Sequence, residues 1–320
     1  MAFDHILFPV DFSEPGKELK KQVESLAGRF SSRVTLLHVV EIPASWYGTC
    51  EAACFDVKWL ESLKDEATRR LRDYLIKLPE ERVQRVVAEG DAAWNITEWA
   101  REHDVDLIVM GTHGYSKMRG LLLGSVTAKV LHDVSCPVWT DALANLCDGS
   151  PDARFSNIVC ALELTDEAIP LLCFARKLAK DFGANVSLVH SVPEMESRPD
   201  KYFDFDLHRY LAESARVEIS KLQRGAGTDF PLIISNERVA KCVAGEARAQ
   251  RADLIVVGRG KCQEPLGRLR SHTYDIIRQS PCPVLSFAAD QPVRISSSYS
   301  EARLGQYVTS GQLPTGCPTS

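Results

Sequence analysis

"DLIVMG", Asp106 to Gly111, returns later in the chain as "DLIVVG", Asp253 to Gly258. Other landmarks repeat in the same order. "FDHILFPVD" at Phe3 is echoed by "FSNIVCALE" at Phe155, "VTLLHVV" at Val34 by "VSLVHSV" at Val186, and "SCPVW" at Ser135 by "PCPVL" at Pro281. Each echo is displaced by about 150 residues, which means two copies of one domain. The period is too long for a solenoid, whose units run to roughly 50 residues at most, so each copy is expected to fold around its own core.

In the first copy, aliphatic and β-branched runs predict strands over Ile6–Val10, Val34–Val40, Val83–Ala88, Leu107–Met110 and Val138–Thr140. Charged segments of helical periodicity separate them. Asp91 is placed to cap a helix carrying Ile96, Trp99 and Ala100, Ser13 to cap one beginning near Glu14 and Pro15, and Leu60, Leu63, Ala67, Leu71, Tyr74 and Leu75 form the stripe of a third. The second copy predicts strands over Ile158–Ala161, Val186–His190, Leu232–Ser235, Leu254–Val257 and Val284–Phe287. Strands alternating with helices give an α/β fold, each domain a five-stranded parallel sheet covered on both faces. The expected division is 1–141 for the first domain, 142–154 for a linker rich in Asp, Ala, Gly and Pro, and 155–288 for the second domain. The tail, 289–320, lacks the apolar density to fold alone.

Composition narrows the function. In 320 residues, 45% hydrophobic and 25% charged, both halves can bury a core, and a net charge of −5 offers no general attraction to nucleic acid or anionic membrane. The N-terminus lacks the basic leader and cleavage site of a signal peptide, and no apolar run approaches the roughly 18 residues of a spanning helix, so a cytoplasmic protein is expected. Ten cysteines without a secretory signal read as buried thiols, as in "IVCAL" and "PCPVLSF". Cys50 and Cys54 have no second close pair of ligands beside them, so no metal site is expected.

The chemistry gathers in "GTHGYSKMRGLLLGS", Gly111 to Ser125, at the end of the predicted fourth strand. Open parallel sheets bind ligands beyond the carboxyl ends of their strands, where strand order reverses. Gly111 and Gly114 remove side chains where backbone amides would turn toward an anion. Gly124 and Ser125 stand where the helix "SVTAKVLHD" begins, so its free amides and dipole favour phosphate. Asp11, closing the first strand in "PVDFS", would face the same crevice and could accept from an exocyclic amine or a sugar. Ser125 has a plain role as a cap, Lys117 and Arg119 are either phosphate neighbours or solvated charges, and the loop as a whole could still be an ordinary connection.

Gly111-x2-Gly114-x9-Gly124-Ser125 resembles the G-x2-G-x9-G-S/T pattern of the ATP-binding universal stress protein family. "ILFPVDFS", "DLIVMG" and "SCPV" look like that family too, over both halves from about residue 1 to 288. The resemblance implies a tandem arrangement of two Rossmann-like, adenine nucleotide alpha hydrolase-like domains and ATP, with or without magnesium, as ligand. By position it implies that Pro9, Val10 and Asp11 lie at the adenine end, that Val39 presents backbone to the base, and that Met110, Gly111, His113, Gly114, Gly124, Ser125 and Val126 surround ribose and phosphates. It also implies that Val138–Thr140 pairs with Val284–Phe287 within one chain, with a homodimer and an unknown protein partner as further possibilities.

The second copy departs from the pattern. "GRGKCQEPLGRLRSH" keeps Gly258 and Ser271, but its loop is one residue shorter, Arg270 replaces Gly124, and Glu163 replaces Asp11. Arg259, Lys261, Arg268 and Arg270 could attract an anion, yet loss of ATP binding is the expectation here. No Walker loop, G-x-G-x-x-G or H-E-x-x-H occurs, and no general base can be assigned, so no catalytic residue is expected. An ATP-binding regulatory or stress-response protein is the leading reading. A slow magnesium-dependent ATP hydrolase and a scaffold with incidental nucleotide are the alternatives.

Overall fold

The computed structural model describes residues 3–41, 57–74, 76–112, 123–141, 155–192, 201–260 and 271–288. Cys50, Cys54, Leu75, His113, Gly114, Lys117, Arg119, Lys261, Cys262, Arg268, Arg270, the 142–154 linker and the 289–320 tail lie outside them.

The first half runs β1 (His5–Pro9), α1 (Glu14–Phe30), β2 (Arg33–Val40), α2 (Val57–Asp73), β3 (Val83–Glu89), α3 (Ala92–Glu102), β4 (Leu107–Gly111), α4 (Ser125–Asp133) and β5 (Val138–Asp141). The second repeats the order with β6 (Asn157–Ala161), α5 (Ala168–Phe182), β7 (Asn185–Ser191), α6 (Lys201–Ala226), β8 (Leu232–Ser235), α7 (Val239–Ala249), β9 (Leu254–Gly258), α8 (Ser271–Gln279) and β10 (Val284–Phe287). The expected caps form: the Ser13 side chain accepts from Gly16 N–H, and that of Asp91 from Trp94 N–H. One expectation is corrected, because α2 ends at Asp73 rather than running on to residue 75. Tyr74 leaves the helix and its hydroxyl donates to the Gly16 carbonyl, 3.1 Å away.

All ten strands lie in one sheet, ordered β3-β2-β1-β4-β5-β10-β9-β6-β7-β8. Pairing within each half is parallel, and at the centre β5 and β10 run antiparallel, with Trp139 opposite Leu285. Side chains alternate across the sheet, so each strand feeds two cores. Ile6, Phe8, Leu36 and Leu285 join α1, α2, α5 and α6 on one face, whereas Leu7, Leu37, Ile108 and Val284 join α3, α4, α7 and α8 on the other. Both cores cross the seam. A chain of ring contacts, Phe3–Phe30–Phe182–Phe155–Trp139 with centroids 4.7–5.6 Å apart, links the halves on the first face.

A buried polar contact stands on that face beside the seam in the first half. Trp139 Nε1 donates to Gln22 Oε1 at 2.7 Å, and Gln22 Nε2 donates to the Asp141 carboxylate. The positions matching Gln22 and Asp141 in the second half hold Phe174 and Phe287, stacked with centroids 4.5 Å apart.

Candidate functional site

The switch point of the first half lies between β1 and β4, where connections leave to opposite sides of the sheet. Ile6 and Leu7 pair with Leu107 and Ile108, so the same register carried forward brings Val10 level with Gly111. Pro9 ends β1, Met110 is buried just before the end of β4, and Asp11 stands exposed beyond its strand. Asp11 Oδ1 accepts from Ser13 N–H at 2.9 Å and Ser13 Oγ at 2.7 Å. Its other oxygen accepts nothing among the described residues, leaving one acceptor of a fixed carboxylate turned to solvent.

The base end is prepared by backbone geometry. Val10 N–H donates to the Leu37 carbonyl on the β1 side of β2, and Gly90 N–H takes the Val40 carbonyl on the β3 side. Residues two apart in a strand point alike, so Val39 directs its N–H and C=O toward β1, past the point where β1 ends. One further rung would give the Val10 carbonyl to Val39 N–H, but His38 Nδ1 takes that carbonyl at 2.7 Å. Because a carbonyl only accepts, Nδ1 carries the proton, and burial holds the imidazole pKa below its usual value, keeping the ring neutral. Phe12, at φ 60°, packs its ring 4.5 Å from the His38 ring while the Arg70 guanidinium sits 4.1 Å above Phe12. The sequence marks His38 through the repeat, since "VTLLHVV" and "VSLVHSV" both keep the histidine, although not its partner; the second half repeats the contact as His190 Nδ1 on the Leu162 carbonyl, at 2.8 Å.

At the phosphate end the Gly124 N–H donates to the Thr112 carbonyl at 2.8 Å, which ties the start of α4 to the end of β4. α4 then starts at Ser125. Gly124 is its N-cap, with no side chain to bond the first amides, and the N–H groups of Ser125, Val126 and Thr127 have no acceptor within the helix. The Gly124 dihedrals, φ −58° and ψ 141°, are open to any L residue, so the backbone does not require glycine there. What glycine provides is approach: a ligand atom can reach the amides without meeting a side chain. Ser125 is exposed and Val126 half-buried, both at this helix start, while Thr127 Oγ1 donates to the Gly111 carbonyl at 2.8 Å and locks the first turn to β4. Of the site residues expected from sequence, Pro9, Val10, Asp11, Val39, Met110, Gly111, Gly124, Ser125 and Val126 therefore gather at one end of β1, β2 and β4.

The second half keeps the lock, Thr273 Oγ1 on the Gly258 carbonyl at 3.3 Å, and the backbone rung from Leu162 N–H to the Val189 carbonyl at 2.9 Å, while residues 261–270 lie outside those described. Arg259, expected as an anion attractor, is fully buried and points into the first half. The four-cation reading of that loop is corrected at this residue: its partners lie more than a hundred positions away and no local pattern announces them. The described residues include no group of three or more His, Cys, Asp or Glu side chains placed to hold a metal, and no helix long and apolar enough to cross a membrane.

Comparison with known proteins agrees with the repeat. The model of the universal stress protein family matches residues 2–140 and again 154–287. A universal stress protein of Methanocaldococcus jannaschii is 31% identical over 139 residues, 42% of this chain and 80% of its own length. A universal stress protein A homologue of Coxiella burnetii is 29% identical over 140 residues, 43% of this chain and 95% of its own. Among solved structures, a universal stress protein from Archaeoglobus fulgidus superposes with a TM-score of 0.62 at 19% identity, over 90% of this chain and all of that one, a likeness of fold.

Proposed function

The chain belongs to the universal stress protein family in both halves, and from that premise we propose that its first half binds ATP as a regulatory module of the stress response in the cytoplasm. The observation that carries the reading is the start of α4 on a bare glycine at the switch point. α1 and α3 close their first amides with Ser13 and Asp91, and α5 and α7, also without a side-chain cap bond, begin on Glu167 and Arg238, whereas α4 begins on a glycine that its own dihedrals do not demand. Bare amides at a helix start, with the positive end of the dipole behind them, are an anion site.

In this reading the amides of Ser125, Val126 and Thr127 and the Ser125 hydroxyl receive phosphate, with Gly111 lining the approach. Val39 meets the base through its backbone, the Asp11 carboxylate accepts from an amine or hydroxyl, and Pro9, Val10 and Met110 close the crevice. The fit is of donors to phosphate and of a turned-out strand edge to a heterocycle; the residues bind and orient. Occupancy stabilises the folded chain by RT ln(1 + [L]/Kd), about 2.7 kcal/mol at a hundredfold excess over Kd, and so couples nucleotide level to the lifetime of one conformation.

Native mass spectrometry of the full chain with ATP and magnesium, beside Gly124→Arg, tests this. One ATP per chain, lost in the variant, supports the reading. Two per chain would assign a ligand to the second half as well. No bound ATP would refute the reading and favour a scaffold whose partner docks elsewhere.

A further inference from the structure

Arg259 is the second residue of the altered loop of the second half, in the place of Thr112 in the first, and its side chain is 0% exposed. Nη1 donates to the carbonyls of Leu131 (2.7 Å) and Val134 (3.3 Å), and Nη2 to that of Cys136 (2.6 Å). Leu131 lies in the last turn of α4 and Val134 is its C-cap, so their carbonyls have no intrahelical donor, and Cys136 stands two residues beyond the cap in the turn toward β5. Arg259 thus closes the carboxyl end of the helix whose amino end forms the anion site. Other side-chain bonds hold the same helix: Thr127 Oγ1 at its first turn, the Tyr274 hydroxyl of α8 on the Ala128 carbonyl at 3.1 Å, and, on its exposed side, Lys129 Nζ on the Asp91 carboxylate at 3.2 Å.

The second half manages its own helix end differently. Ser280, in the place of Val134, donates its hydroxyl to the carbonyl of Cys282, in the place of Cys136. Valine at 134 cannot do this, and the guanidinium from across the seam supplies the missing donor. The converse contact cannot form, because the Thr112 side chain is too short to reach the matching carbonyls of α8. Burying a guanidinium, which stays charged, is expensive unless its N–H groups are matched by acceptors. The chain accepts that burial on one side of the seam only, the side that grips α4.

We infer that Arg259 is a positioning residue for the ligand site of the first half: by fixing the carboxyl end of the nine-residue helix α4 it fixes where the amides of Ser125 to Thr127 stand. The inference rests on the nucleotide reading of that site. The altered loop is in this account a support for its neighbour.

The test is titration of the full chain with ATP and, separately, with adenosine, for wild type, Arg259→Lys, Arg259→Met and Val134→Ser/Arg259→Met. Only phosphate meets α4, so Arg259→Met is expected to weaken ATP by roughly tenfold while adenosine changes by less than about twofold. Arg259→Lys, which keeps fewer donors, falls between, and adding Val134→Ser recovers part of the loss by the route the second half uses. If Arg259→Met does not fold, the split between ATP and adenosine in Arg259→Lys decides. Equal loss of both ligands, or loss of neither, overturns the inference. Wild type binding neither ligand would refute the nucleotide reading; faster amide exchange confined to α4 in Arg259→Met would then preserve the grip on the helix, and unchanged exchange would remove it.

Discussion

Replacing Gly124 by aspartate should make the protein more stable and a worse binder of ATP. The Gly124 dihedrals accept an L side chain without strain, and α4 lacks a side-chain cap, so aspartate can bond the Val126 or Thr127 amide as Asp91 bonds Trp94 in α3. The gain over glycine is a few tenths of a kcal/mol from the cap and about as much again from a negative charge at the helix start, together about 0.5–1 kcal/mol. The same carboxylate occupies the amides offered to phosphate and repels it. Two unit charges 4 Å apart interact by about 4 kcal/mol at an effective dielectric of 20, and halving that for screening leaves about 2 kcal/mol, roughly thirtyfold in Kd. Gly124→Asn supplies a cap without the charge and should lie between. Urea unfolding reads the stability and calorimetric titration with ATP and adenosine reads the binding. The reasoning is refuted if the aspartate variant binds ATP as wild type does, or if ATP and adenosine affinities fall in parallel.

Two other outcomes follow from buried groups. His5, bonded through Nδ1 to the His103 carbonyl and through Nε2 to Thr35 Oγ1, and His38 both have pKa values held below 6.5 by burial. The unfolded chain therefore takes up protons first as pH falls through about 6.5, so the stability these histidines contribute is complete above that pH and is lost below it; the urea midpoint should drop from pH 7.5 to 5.5, less steeply in His5→Gln, and a flat wild-type profile would contradict this. Gln22→Met leaves Trp139 Nε1 buried without its acceptor, at a cost of about 1–3 kcal/mol, and also removes the Gln22 donor from the Asp141 carboxylate, so Trp139→Phe in the same chain should recover only the share due to Trp139; strict additivity of the two changes in urea unfolding would mean that the Trp139–Gln22 bond contributes nothing.

The strands were legible because each is a short aliphatic run between charged segments, and the repeat doubled every signal: Leu232–Ser235 and Val284–Phe287 fall where the pattern puts them, and the others differ by a residue or two at their ends. The caps at Ser13 and Asp91 were legible because capping is local chemistry. α2 was read past its end at Asp73 since Tyr74 continues its apolar spacing, although the ring is used beyond the helix with its hydroxyl on Gly16. The partners of His38 and Arg259 were beyond reach of sequence pattern for a common reason. Each acts through a backbone carbonyl, Val10 for one and Leu131, Val134 and Cys136 for the other, and a carbonyl has no residue type to betray it. The Gln22, Trp139 and Asp141 contact spans more than a hundred positions and was equally invisible.

The antiparallel seam between β5 and β10 has a consequence for how such a molecule can change over time. An assembly of two identical chains about a twofold axis repeats every substitution on both sides, because one gene writes both partners. Arginine in the place of Thr112 would then come with its twin, and phenylalanine in the place of Gln22 with another. Duplication inside one reading frame ends that obligation. Thr112 and Arg259, Gln22 and Phe174, Val134 and Ser280 can drift apart while the ten-stranded sheet keeps the two halves joined, and a division of labour between the halves becomes available to selection.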